Sequence, residues 1–196
     1  RWRVPHFEKM LYDNALLLGV YAEAAGATGE ALFSQVAART ADWLLAELRA
    51  PGGAFYASLD ADAAGVEGSF YVWDAAQVRA ALSADEYAVF APHHGLEQPP
   101  NFEQHAHHLV VATSLDALAA ARHGTRAEVV ALLDAARSRL MALRAGRVRP
   151  GRDEKVLCSW NALAIRALAT AARVLDRADL AQAAGAALTF LRQHHW

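Results

Sequence analysis

The chain has 196 residues, 55% of them hydrophobic, with 19 basic and 21 acidic side chains and a formal charge of −2. That is one domain, or part of one, with enough apolar material for a sizeable core. Near-neutral charge argues against a nucleic-acid or anionic-membrane surface, and no apolar run is long enough to span a bilayer.

No signal-peptide pattern precedes the first element, and a cytoplasmic protein is expected. Both ends read as cuts through a longer protein. Residues 5–25 are predicted as the first helix, with Pro5 at a first position where its missing N–H loses nothing. Leu11, Leu16, Leu17, Leu18, Val20 and Tyr21 make it apolar nearly all round, as in a helix enclosed by others. Gly26 and Gly29 end it. A second, amphipathic helix is predicted over 30–49, with Phe33, Val36, Trp43, Leu44 and Leu48 on one stripe. Pro51, Gly52 and Gly53 stop it. Two alternating runs, "AFYAS" and "SFYVW", predict a β-hairpin over 54–73 around the acidic loop Asp60 to Gly68. Short helices follow at 74–82 and 84–91, then a Pro- and His-rich loop over 92–108. An amphipathic helix at 125–144 precedes the loop "AGRVRPGRDEK" and a final pair at 157–174 and 178–194.

The chain repeats itself. Laying Asn14 on Asn161 without gaps puts Ala15–Leu16 on Ala162–Leu163, Ala24–Ala25 on Ala171–Ala172 and Leu44 on Leu191. Each unit is an apolar helix, a turn and an amphipathic helix, the signature of a helix-hairpin array. If successive inner helices run the same way, the loops that return to them share one face.

Four polar clusters fall in those loops. In "VPHFEKMLYDNA", His6, Glu8, Lys9, Asp13 and Asn14 sit among large apolar side chains. Glu8 suits a helix start, and Lys9 and Asp13 are one turn apart. Asp13 and Asn14 have apolar neighbours on every side, so a buried network and a wet functional cavity are both open readings. In "SLDADAAGVEG", Asp60, Asp62 and Glu67 resemble a calcium loop. Ala64 and Tyr71 stand at its fifth and twelfth ligand positions, which rejects an EF-hand. Another metal site, turn caps and a catalytic carboxylate are the open readings of these acids. In "NFEQHAHH", Asn101 and Glu103 precede a histidine group. Most of His93, His94, His105, His107 and His108 read as solvated loop residues, and no HExxH motif is present. In "RDEKVLCSWN", Asp153 and Lys155 either neutralise a helix start or belong to a site. Trp2, Trp73 and Trp160 lie near the same loops, where indole rings suit sugar faces and plain cores alike. Only Lys9 and Lys155 are lysine, a compact ammonium among arginines. Cys158, the single cysteine, excludes an internal disulfide and reads as a small core residue.

Taken in order, "VPHFEKMLYDNA", "DADAAGVEGSFYVW", "NFE" and "RDEKVLCSWNAL" resemble the thioredoxin-domain-containing family that includes spermatogenesis-associated protein 20. The resemblance implies a mainly α fold: part of an (α/α)6 toroid similar to N-acylglucosamine 2-epimerases and six-hairpin glycosidases, residues 1–196 being a fragment of one such domain. It also implies a covalently linked thioredoxin-like domain, absent from this chain. Gln104 stands where the family pattern has Gly, which puts that loop's backbone in question; Glu154 and Ala162 are milder departures.

The function expected is therefore that of a carbohydrate-active toroid, epimerase- or isomerase-like or glycosidase-like. The alternative is a noncatalytic binding module serving the redox domain. His6, Asp13, Asp60, Glu103 and Lys155 are the catalytic candidates. Lys9, Asn14, Asp62, Glu67, Trp73, Asn101, Asp153 and Trp160 are the substrate-binding candidates. No metal, cofactor, nucleic acid or membrane partner is expected. Expressed alone, half a toroid is expected to self-associate through its uncovered hairpin sides.

Overall fold

The structure, a computed structural model, describes residues 5–195. Among these the chain is mainly helical, with eight α-helices and two small antiparallel sheets. It divides into two compact units: a split unit of Glu8–Ala61 with residues 151–195, and a central unit of Asp62–Pro150 with residues 5–7.

In the split unit, β1 (Lys9–Met10), β2 (Ser58–Leu59) and β5 (Arg152–Asp153) form an antiparallel sheet with β2 in the middle. Helix α1 (Leu11–Thr28) grows directly from β1, and α7 (Cys158–Leu175) follows β5 after residues 154–157. Both flanking strands oppose β2, so the two helices leave the sheet in the same sense. Helix α2 (Ala31–Trp43) runs on as a π-helical turn at Leu44–Leu48, and α8 (Ala178–His194) returns along α7.

Small side chains make the α1–α7 seam. Ala15, Ala22, Ala164, Ala167 and Ala171 are buried, and a Cβ added to Gly19 would lie 3.9 Å from that of Ala167. Such a surface lets helices approach closely. Leu11, Leu18, Leu44, Leu48, Phe55, Leu168 and Leu180 close the core, each fully buried and contributing about 1.5–3 kcal/mol. The repeat is physical: Asn14 and Asn161 each donate Nδ2 to the carbonyl four residues back, at 2.8 Å to Met10 and 3.0 Å to Leu157.

The first helix starts at Leu11, not Pro5. Residues 5–8 are irregular and Lys9–Met10 is a strand, because pairing with β2 outcompetes the helix-starting preference of Pro5. The Leu11 N–H is satisfied by the Ala57 carbonyl at 2.9 Å, doing what a capping side chain does elsewhere. Lys9 and Asp13 therefore do not share a helical turn. Gly26 lies inside α1, and only Gly29, at φ +71°, ends it. Among the described residues α1 is not enclosed all round: Leu16, Leu17 and Val20 are 52%, 51% and 62% exposed.

In the central unit, β3 (Asp62–Ala63) and β4 (Val66–Glu67) make a hairpin through Ala64 and Gly65, both at positive φ. The hairpin thus lies inside the acidic loop, since a two-residue turn with both φ positive matches strand twist. The flanking runs do not pair with each other: Ser58 of "AFYAS" enters β2, and "SFYVW" forms turns. Helices α3 (Ala75–Ala81), α4 (Ala84–His93), α5 (Leu115–Ala121) and α6 (Arg126–Ala145) follow. Asp74 caps α3, and the pairs Ser83–Glu86 and Thr125–Glu128 form capping boxes. Helix α5 was not foreseen, although its Ser114 cap is a legible signal. Val78, Val89, Phe90, Val129, Leu133, Ala136 and Leu140 form this unit's core.

The histidine group departs from expectation. His107 and His108 are buried, because the Trp73–His107 backbone bridge draws that segment inward. The turn before it is strained. Glu103 and Gln104 have φ of +43° and +64°, and reciprocal backbone bonds between Phe102 and Ala106, both 3.0 Å, close the loop. Left-handed backbone costs a non-glycine residue about 1–2 kcal/mol, partly returned by its stiffer unfolded chain. Gln104→Gly is expected to raise unfolding free energy by about 0.5–1 kcal/mol in urea titrations, and an unchanged midpoint would show that the turn is relaxed.

Candidate functional site

The starts of α1 and α7 place one group of the predicted residues. Across the sheet, Lys9, Leu59 and Arg152 form one row, and Met10, Ser58 and Asp153 the next. Adjacent rows face opposite sides of a pleated sheet, so Lys9 and Asp153 project apart. Asp60 follows β2, and its N–H donates to the Gly151 carbonyl at 2.7 Å. Lys155 donates from Nζ to Asp153 Oδ2 at 3.0 Å, and its N–H reaches Asp153 Oδ1 at 3.2 Å. These hydrogen bonds hold the Asp153 carboxyl below the usual carboxylate range. Arg152 pairs with Glu154 at 2.6 Å and stacks 4.5 Å over Tyr56.

Trp160, half-buried in the first turn of α7, meets Tyr12 of α1 edge-on at 4.8 Å. Asp13 is exposed, neither in a buried network nor in a deep cavity. The buried amide is Asn161, fully enclosed. Its Oδ1 accepts from the Phe55 N–H at 2.8 Å, and its Nδ2 donates to the Phe55 carbonyl at 2.9 Å. Cys158 is exposed as the first residue of α7, not in the core. In the split unit Asp13 and Asn14 lie in the first turn of α1, Asp153 on β5, and Lys155 and Trp160 around the start of α7. Asp60 lies past the other end of β2, beside Gly151. The structure joins Lys155 to Asp153 and Trp160 to Tyr12. A cleft of about 130 Å³ between α1 and α7 is lined by other residues, among them Leu16, Gly19, Glu23 and Arg166. Tyr12 and Arg152 escaped the sequence reading, although both lie within the quoted motifs.

The central unit carries the remainder. Asp62 and Glu67 are directly opposed across the β3–β4 hairpin, and both are exposed. His6 and Glu103 are also exposed. Between them in the chain, Phe7 is buried against Tyr71 and Phe102. Asn101 clamps the His108 backbone, accepting from its N–H at 2.9 Å and donating to its carbonyl at 3.1 Å. Trp73 is buried, with the Arg147 guanidinium 4.0 Å over its ring. Arg147 also donates to the Phe70 and Val72 carbonyls at 3.0 and 2.8 Å. Trp2 lies outside the described residues.

Burial, then the charges of His93 and Arg137, push the His94 imidazole down from 6.5 to about 4. A lowered histidine pKa means that the unfolded chain binds the proton more readily, so stability falls as pH drops from 6.5 towards 4. About 1–3 kcal/mol is expected to be lost across that window. His94→Gln is expected to flatten the dependence in melts at stepped pH, and an equally steep variant would assign it to other groups.

The described residues are thus mainly helical, and in the split unit two helix hairpins stand on a small antiparallel sheet. No protein-family model matches it. The chain is homologous over 99% of its length to spermatogenesis-associated protein 20, at 33% identity to the protein of Mus musculus and 32% to that of Homo sapiens. It spans 28% of the length of these relatives. No helix among the described residues is long and apolar enough to cross a membrane.

Proposed function

We propose that the chain forms part of a carbohydrate-handling (α/α)6 toroid, with its site at the starts of the inner helices. The supporting observation is that α1 and α7 leave one sheet in the same sense, with Tyr12 and Trp160 in contact at their starts and Lys155 paired to Asp153 just before α7. Trp160 and Tyr12 supply an aromatic surface, and the polar groups supply hydrogen bonds for hydroxyls. Two chemistries suit such a site. Epimerisation or isomerisation needs a base beside a carbonyl and a cation for the developing oxyanion, for which Lys155 is the candidate in the split unit. Hydrolysis needs two carboxylates of unlike pKa, for which the split unit offers Asp13 and Asp60.

Incubating the intact protein with free sugars and glycosides in deuterated water tests both. Deuterium at C2 supports epimerisation, and a new reducing end supports hydrolysis. Asp60→Asn is expected to abolish either turnover with the melt unchanged. No exchange and no cleavage across the panel would reject catalysis. A second reading, a noncatalytic module beside a thioredoxin-like redox domain, is favoured by one observation. Lys155 and Glu154 are each neutralised by a sequence neighbour, as structural charges are.

A further inference from the structure

Helix α6 carries a stripe that the sugar reading does not use. Arg137, Leu140, Met141 and Arg144 recur at i, i+3, i+4 and i+7, the spacing that puts residues on one helix face. They line a cleft of about 120 Å³ in the central unit, closed by Trp73, Phe90, His94 and Leu109. The walls are apolar or aromatic, and the charges in the lining are guanidinium groups. Arg137 is already engaged by Asp134 at 2.6 Å. Among the described residues Arg144 has no carboxylate partner; its guanidinium lies 5.3 Å over the Phe70 ring and 5.8 Å over that of Tyr71. Rings attract a cation without neutralising it. His94 lies tilted against Phe90 with ring centroids 4.3 Å apart, and at neutral pH it adds no charge.

We propose that this cleft binds a small organic anion with a flat apolar body, the body against Trp73, Phe90 and Met141 and its carboxylate held by Arg144. The size fits one ring, since an apolar cavity of about 150 Å³ accepts benzene. A guanidinium fork is the natural partner of a carboxylate. A sugar is disfavoured here, because apolar walls leave its hydroxyls without partners. The site is independent of the sugar reading and is tested apart from it.

Sodium benzoate is the probe and benzyl alcohol its uncharged counterpart, titrated into the intact protein by calorimetry and by thermal shift. Benzoate is expected to bind saturably, one per chain, at least about tenfold more tightly than benzyl alcohol. Arg144→Gln is expected to remove most of that preference. Met141→Trp, at a position 54% exposed and so compatible with folding, is expected to fill the cleft and abolish binding with the circular dichroism unchanged. Equal affinity for the two probes, no saturable benzoate binding, or full benzoate affinity in a folded Met141→Trp variant would each overturn the proposal.

Discussion

Asn161→Ala is expected to destabilise the split unit by about 3–5 kcal/mol, read as a lowered urea midpoint with unchanged slope. The amide is wholly enclosed and serves three backbone groups: the N–H and carbonyl of Phe55 and the carbonyl of Leu157. Truncation strands the Phe55 groups in a dry core, at about 1–3 kcal/mol each, and leaves a small void. Asn14→Ala is the matched control. It sits at the equivalent helical position, half-buried, and donates to the carbonyl of Met10, so about 0.5–1.5 kcal/mol is expected. Comparable losses at the two positions would mean that water replaces the Asn161 amide.

Gly68→Ala is expected to be the costliest small change in the central unit, at about 2–4 kcal/mol. Its φ is +69°, and an added Cβ would meet Cε2 and Cζ of Phe7 at 2.7 Å. That ring is buried against Tyr71 and Phe102 and has little freedom to retreat. Gly65→Ala separates the two causes. Its φ of +76° is just as unfavourable, yet nothing lies within 4 Å, so only about 1–2 kcal/mol is expected. If both variants lose equally, the Phe7 contact is soft and backbone strain alone explains Gly68.

Helices with strong local signals were legible in the sequence. The 157–174 and 178–194 pair and the 125–144 helix lie within about two residues of their places, because periodicity and caps agree there. What failed was decided at long range. Nothing local shows that Lys9–Met10 pairs with Ser58–Leu59, so Pro5 misled the first boundary. The hairpin turn was hidden because Ala64, not a favoured turn residue, takes a positive φ beside Gly65. His107 and His108 looked like surface residues by composition, and only the bridge to Trp73 reveals their burial. Of the candidate residues, Asp60, Asp153, Lys155 and Trp160 all fall within the motifs read from the sequence. The Lys155–Asp153 bond is local, but the bond from Asp60 to Gly151 and the role of Arg147 in covering Trp73 join residues some 70 to 90 positions apart and have no local trace.

The middle strand of the three-stranded sheet has a temporal consequence. During synthesis β2 acquires its first neighbour, β1, within sixty residues, but its second, β5, leaves the ribosome only after the whole of 62–150. At about 5–20 residues per second, that leaves a nascent chain for several seconds with one strand edge bare and the α1 seam uncovered. Such an interval is when a chaperone, or a neighbouring nascent chain, has its opportunity.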